Sequence, residues 1–591
     1  MAFVVLLMFG SSVAGQDTES GQKKGGQVNG LTNADVDAAT PFEVAIGLTG
    51  QGRFHWTALV VCGFCLMTLL FESLAAAYVT PAAQCDFEMS SFEKGFLSGS
   101  IYIGMILSSH LWGFVADTRG RRLVLSLTLA GNCLCSVAAA FMPSLPLLIF
   151  VRLLNGVFVC GPSAVTYAYL GEFHTDRTRT QHIVYVCLFF AIASIAQPAV
   201  AWVVIPQPWD VPLGGGLRLS SWRAFLLLGA ALSALTLVLL RTLMVESPKF
   251  LLVAGRHQEA LAVLQHMFSA NNSVPPDAFP VLALQKDLQS STTVTGNPKS
   301  PLYIARHMWR QTYPLFKTPF LPYTLLGCLI QFGLYASSGG FFLWLPDLMT
   351  RMTDFQSMYP DHEASVCDVI AILAGQQQAP FAGQASLPSV LNTSVANSWS
   401  ETFNWTETAT GVLPDTWTLE NASLEPPVLE MAPRVCAVSI SSTSFQNTLI
   451  IGCGSAISYA SVVLLLRVIS KKTIIAVCLV VSGACGVATM WAQTELEVLM
   501  LPMVFVVLSG MCISVVNSVV IDTFPTYLRA MAVCLSLCCG RLGTFVTSLM
   551  LGALIESSCV LAVSILGGFV FGCGVLSTLL PSEAKLRKMN H

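Results

Sequence analysis

The sequence predicts an all-α membrane protein of twelve transmembrane helices arranged as two six-helix bundles. Three observations carry this. Apolar residues fill 54% of the 591 positions and charged residues only 11%, where a soluble domain carries about 25% charge. Twelve apolar windows recur, each near the length of about twenty residues that a helix needs to cross a bilayer. A long polar interruption after the sixth window divides them six and six.

The spans fall at 54–79, 92–116, 123–142, 147–169, 182–205, 222–244, 321–346, 444–467, 473–492, 498–521, 531–554 and 558–580. Lipid offers no partner to backbone N–H and C=O groups, so each span must be helical. An even number puts both termini on one side. Lys and Arg choose that side, because basic loops stay in the cytosol. With cytosolic termini, about 23 of the 30 basic residues lie inside, about 5 outside and 2 within spans. The expected organisation is a cytosolic tail (1–53), a first bundle (54–244), a cytosolic loop (245–320), a second bundle (321–580) with an outer loop (347–443), and a second cytosolic tail (581–591).

The loops add detail. The outer loop holds three glycosylation acceptors, Asn392, Asn404 and Asn421, each two residues before Ser or Thr. Asn271 also fits the pattern, but its segment reads as cytosolic, so it should stay bare. In the cytosolic loop, His257–Phe268 has apolar residues at helical spacing (Leu261, Leu264, Met267, Phe268). Cys367 and Cys436 both fall outside and could form a disulfide. The other cysteines lie mostly in apolar stretches as small hydrophobes. Cys62 and Cys65 make a C-x-x-C inside span 1, with no second pair at ligand spacing, so no metal site is expected. Met1–Gly15 is apolar but lacks a basic start, so it reads as a tail or a misplaced start rather than a cleaved leader. The net charge of −3 and the absence of long basic runs argue against nucleic acid as a partner.

The loop between spans 2 and 3 reads Gly113-Phe-Val-Ala-Asp117-Thr-Arg119-Gly120-Arg121-Arg122, and the equivalent loop between spans 8 and 9 keeps the basic pair at Lys471-Lys472. Positive-inside anchoring explains the Arg residues. It does not explain two Gly residues and an Asp at this spacing, which suit a tight turn, close helix approach and a cap or ion pair. A state-dependent latch between helices is expected here.

These residues resemble the loop signature of the major facilitator superfamily. Three further stretches resemble motifs of the same family in the same order: Arg152-Leu-Leu-Asn155-Gly156 in span 4, Glu246-Ser-Pro-Lys-Phe-Leu251 after span 6, and Pro525-Thr-Tyr-Leu-Arg529 after span 10. The resemblance implies the major facilitator fold and adds Glu246 to the latch. Asp522 and Arg529, which flank the end of span 10, are expected to form a latch there. A narrower likeness follows. The large outer loop, Leu170-Gly-Glu-Phe173 and Ala201-Trp202-Val-Val-Ile-Pro206 look like the synaptic vesicle glycoprotein 2 family, as do Glu72 and Pro81-Ala-Ala83 in span 1. The chain departs from that family at Leu69, where an Asp is expected, in its shorter outer loop, and near Ile513, where a Trp is expected. It therefore looks like an invertebrate-type member, with a synaptic-type vesicle or the plasma membrane as its place.

Charges deep in a span are candidates for function. Glu72 in span 1 could carry a proton, unless a cation or His110 of span 2 holds it. Arg152 and Arg541 need an anion, a carboxylate or a solute. Trp202, Gln331, Tyr335 and Asn517 are softer candidates near the central cleft. Catalytic, cofactor and metal motifs are missing, so an enzyme is not expected. The expected function is secondary transport of a small organic solute by alternating access, coupled to protons or another cation. A vesicle scaffold or receptor with vestigial transport is the alternative. Protein partners and the solute itself stay unnamed.

Overall fold

The computed structural model describes residues 40–214, 217–285, 309–310, 312–359, 364–378 and 442–580. Asn392, Asn404, Asn421 and Cys436 lie outside the described residues, as do Met1–Gly15 and the C-terminal tail. Eleven helical segments among the described residues are long and apolar enough to cross a membrane. The last, Met531–Leu579, has 49 residues, more than twice what one crossing needs. Its backbone leaves the helical region at Ser558 (φ −158°, ψ 69°). It is therefore spans 11 and 12 joined by a sharp corner, which brings the number to twelve.

Short polar signals set the span ends. Ser90 and Glu93 form a reciprocal cap at the start of span 2 (Ser91–Arg119), and Thr494 and Glu497 repeat it for span 10 (Glu495–Thr523). Gly120, at φ +108°, is the single residue between span 2 and span 3 (Arg121–Ala140). Only glycine turns so sharply at little cost. Span 4 (Leu145–Gly171) packs on span 2 so closely that a Cβ on Gly156 would strike the Ile101 carbonyl. A small antiparallel hairpin, β1 (Asp210–Gly214) with β2 (Leu217–Ser220), joins span 5 (Asp176–Val204) to span 6 (Ser221–Leu243).

Span 7 departs from the expected 321–346. It begins as Leu321–Tyr335, widens into a π turn at Ala336–Phe341, passes through a 3₁₀ turn and resumes as Leu345–Met358. Gly339 and Gly340 make the widening, and span 11 fills it: a Cβ on Gly340 would stand 2.6 Å from the Thr547 Cβ. The expected outer loop thus opens with more than two further helical turns. A second helix there, Val366–Gln378, carries Cys367. Cys367 is bonded to Cys559 at the span 11–12 corner, with Cα atoms 5.4 Å apart, so the expected pairing with Cys436 is not the one made. The helix lies against that corner, which presents the Cys559 thiol to it.

We call the side carrying Arg121 and Lys471 the basic face and the other the opposite face. A cap covers the first bundle at the basic face. It combines Phe42–Leu48, Pro248–Val253 and His257–Asn272, the last extending the helix expected from 257. Asn271 ties the cap to span 1: its Oδ1 accepts from Phe54 N (3.0 Å), and its Nδ2 donates to the Thr49 and Gly50 carbonyls (3.2 Å each). A glycan on this side-chain nitrogen would displace those bonds.

Candidate functional site

Glu72 stands on span 1 (Arg53–Gln84) and is 1% exposed. Its Oε2 accepts from Arg152 Nη1 (3.1 Å) and Asn155 Nδ2 (3.3 Å), and its Oε1 from Ser136 Oγ (2.6 Å). Arg152 Nη2 also donates to the Glu72 carbonyl (2.8 Å), and Asn155 Nδ2 to Ser136 Oγ (2.8 Å). Arg152 and Asn155 are three residues apart on span 4, hence on one helical face. A buried carboxylate survives only when paired and hydrogen-bonded, and this one is both. The structure therefore brings Glu72, Arg152 and Asn155 together, and Arg152 is the cation rather than His110. Ser136 was not foreseen, because one Ser in an apolar span carries no signal by itself.

Arg541 on span 11 is also buried, at 7% exposure. It reaches across to the first bundle: Nη2 donates to Ser163 Oγ (2.5 Å), and Nη1 to Cys160 Sγ (3.2 Å) and the Met105 carbonyl (3.4 Å). Among the described residues no carboxylate pairs with it. Tyr335 packs on the neighbouring Gly540, where a Cβ would lie 2.5 Å from its ring. Tyr102 of span 2 sits within electrostatic reach of Arg152, Arg541 and Tyr335. These groups form a polar seam between the bundles. Gln331 and Asn517 meet each other inside the second bundle (2.8 Å), leaving Gln331 Oε1 buried without a donor. Trp202 belongs elsewhere. It lies in the last turn of span 5, and its Nε1 donates to Ser442 Oγ (3.1 Å) at the start of span 8 (Ser442–Leu466). That places it at the opposite face rather than in the central cleft.

The opposite face holds a charge network that the sequence reading missed. Lys94 Nζ of span 2 lies 3.4 Å from Asp347 Oδ1 of span 7, Arg351 Nε lies 2.9 Å from Asp347 Oδ2, and Arg351 Nη2 lies 3.4 Å from Glu556 Oε1. Ser91 donates to Glu556, and Ser548 Oγ to the Gly95 carbonyl (2.9 Å). These links tie the two bundles together. At the basic face, no ion pair joins the bundles among the described residues.

The latch residues lie at the basic face. Glu246 Oε1 accepts from the backbone N–H groups of Arg121 (2.9 Å), Arg122 (3.1 Å) and Ser247 (3.0 Å), so it caps span 3. Arg121 pairs with Asp117 (2.9 Å), and its Nε stands 3.1 Å from Glu172 Oε2 at the end of span 4, a close charge contact without an aligned hydrogen bond. Lys471 pairs with Asp522 at the end of span 10 (2.6 Å). The second half thus repeats the first: a basic residue opening the third span of each half meets an acid ending the fourth. Asp522, expected with Arg529 in a latch at the end of span 10, is held by Lys471. Arg119 is exposed. A Cβ on Gly113 would meet nothing within 4 Å, so Gly113 makes no close helix approach in this conformation.

A family model described as Major Facilitator Superfamily matches residues 60–373, just over half of the chain. Synaptic vesicle glycoprotein 2A of Rattus norvegicus is 28% identical over 330 residues, covering 54% of this chain and 44% of that protein. Synaptic vesicle glycoprotein 2B of Mus musculus is 29% identical over 334 residues, covering 54% and 49%. The match spans less than half the length of these relatives. The xylose transporter XylE from E. coli, in a partially occluded inward open conformation, shares the fold at a TM-score of 0.56 and 12% identity, over 90% of this chain and 100% of that one. A bacterial homolog of the human lysosomal transporter Spinster, inward-facing, matches at a TM-score of 0.55 and 10% identity, over 92% and 99%. The chain is an integral multi-pass membrane protein, it resembles the synaptic vesicle glycoprotein 2 proteins, and it belongs to the Major Facilitator Superfamily.

Proposed function

We propose that this protein is a secondary transporter that carries a small organic solute with an anionic group by alternating access. The observation that carries the reading is Arg541: a buried cation from one bundle that, among the described residues, is held by neutral acceptors of the other. Burying a charge without a counter-charge costs several kcal/mol, a cost that a bound anion offsets. The seam lies between two six-helix bundles, where midplane sites in this kind of architecture form. The bundles close at the opposite face through Lys94, Asp347, Arg351 and Glu556, and the ionic latches at the basic face stay within each bundle. That arrangement fits a state open toward the basic face.

In this reading the basic face is cytosolic, both tails are cytosolic, and Asn392, Asn404 and Asn421 carry glycans outside. A vesicle or plasma membrane is the setting, in keeping with the names of its relatives. Coupling runs through Glu72. Its carboxylate is occupied by Arg152 and is freed for the coupling ion when the guanidinium turns to the solute. Solute binding and protonation are then linked. The test is uptake of labelled solutes into proteoliposomes at two pH values. Glu72→Gln should abolish the pH dependence while the protein still reaches the membrane. Wild-type pH dependence in that variant contradicts the coupling role.

A further inference from the structure

We infer that the entrance to span 7 is a binding site for one anionic phospholipid of the leaflet at the basic face. The segment just before span 7 places Trp309, Tyr313 and Phe316 four and three residues apart, hence on one side of a turn. The Trp309 ring stacks on Phe316 at 6.5 Å and lies tilted against Tyr313 at 6.1 Å. All three are exposed, at 61%, 45% and 42%. The segment is held in place: Leu315 is fully buried, and its carbonyl accepts from Thr324 Oγ1 (3.0 Å) in the first turn of span 7. Rings presented at the end of a membrane span lie at headgroup depth, where amphipathic aromatics are most stable.

Two observations go beyond a general aromatic anchor. The first is charge. Arg310 and Lys317 flank the rings, both exposed, with Lys317 Nζ 4.7 Å over the Tyr313 ring. Neither has a carboxylate partner among the described residues. The second is shape. A groove of about 310 Å³ begins at Tyr323 and runs along the membrane-facing side between span 7 and the end of span 12. Tyr323, Leu326 and Leu329 form one stripe of its wall, and Leu576 and Leu579 the other. Leu329 and Leu579 are themselves exposed (38% and 67%), so the groove opens outward onto lipid. Cations at the interface and an apolar groove leading from them into the hydrocarbon match the two ends of a phospholipid. An acyl chain fills the groove, and the anionic headgroup meets Lys317 and Arg310.

The test uses the purified full chain in detergent, titrated with phosphatidylserine or phosphatidylcholine brominated on an acyl chain. The readout is quenching of the Trp309 fluorescence, isolated by subtracting a Trp309→Phe variant. Phosphatidylserine should quench at least threefold more tightly than phosphatidylcholine. The double variant Arg310→Gln/Lys317→Gln should lose that preference, and Leu326→Trp, which fills the groove, should weaken both lipids. Melting temperatures of the variants should match wild type. Equal quenching by the two lipids in wild type, or a preference surviving in the double variant, overturns the headgroup assignment. Full competition by glycerophosphoserine, a headgroup without chains, overturns the role of the groove.

Discussion

Glu72 and Arg152 form an ion pair that is almost wholly removed from solvent, with Nη1 3.1 Å from Oε2 and side chains 2% and 4% exposed. Removing one partner of such a pair leaves a bare charge and costs about 3–5 kcal/mol. We expect Glu72→Gln and Arg152→Gln each to lower the melting temperature clearly, and the double variant to recover part of the loss. A thermal melt in detergent with a double-mutant cycle measures this. Additive losses would show that the two residues act independently.

Gly95 sits where span 2 meets span 11 near the opposite face. A Cβ there would strike the Ser548 carbonyl and stand 3.3 Å from the Gly552 Cα. Gly95→Val is therefore a wedge that penalises closure at that face. Spin labels on spans 2 and 11 should report a longer distance at the opposite face and a shorter one at the basic face. Unchanged distances in the variant would mean that this contact does not set the balance between states.

Glu246 and Gly120 make one joint. Glu246 accepts two backbone N–H groups at the start of span 3 and that of Ser247, and a Cβ on Gly120 would fall 2.5 Å from its Oε2. Losing a helix cap costs about 0.5–2 kcal/mol. A side chain at φ +108° adds strain of about 1 kcal/mol or more. Glu246→Ala and Gly120→Ala should each destabilise, with little further loss when combined. The melting temperatures of the two single variants and the double variant check this.

His174, between spans 4 and 5, is packed between His55 and His182, with ring centroids 4.8 and 3.9 Å away. Burial pushes its imidazole down to about 3, with Arg179 and the other two histidines acting in the same direction. Its Nδ1 donates to the Leu170 carbonyl (2.8 Å), and its Nε2 is buried without a partner, so the site offers no acceptor for the second N–H of a charged ring. The unfolded chain takes up this proton near pH 6.5, and the folded chain only near 3. The stability is therefore full above about pH 6.5 and falls as the pH drops toward 3. The loss is on the order of 1–2 kcal/mol at pH 5. His174→Asn should flatten this part of the pH–stability profile. A profile unchanged by the substitution would assign the effect to other groups.

Much of this architecture was legible because a bilayer imposes simple rules. Apolar length marks spans, and rare buried charges stand out, which is why Glu72, Arg152 and Arg541 could be singled out and why the first two meet. Other features depend on where helices lie in space. Lys94, Asp347 and Glu556 sit near span ends, where charges are ordinary, so their joint role across the bundles left no mark in the sequence. Cys559 hid inside an apolar run until the corner at Ser558 brought it beside Cys367. The π turn in span 7 arises from Gly339 and Gly340 packing on Thr544 and Thr547, a contact between residues some two hundred positions apart. The pairing of Lys471 with Asp522 is half legible: the sequence shows the recurring basic pair and puts Asp522 in a latch, but nothing in it says that the two meet.

The central claim rests on Arg541 as the group that meets the solute. The most direct measurement is uptake of a panel of labelled organic anions, cations and sugars into proteoliposomes bearing wild type or Arg541→Gln. The account predicts that at least one anionic solute accumulates, that Arg541→Gln lowers its uptake by about tenfold or more, equivalent to about 1.4 kcal/mol, and that the variant melts no lower than wild type. Undiminished anion uptake by a well-folded Arg541→Gln protein, or accumulation of neutral and cationic solutes alone, would contradict it.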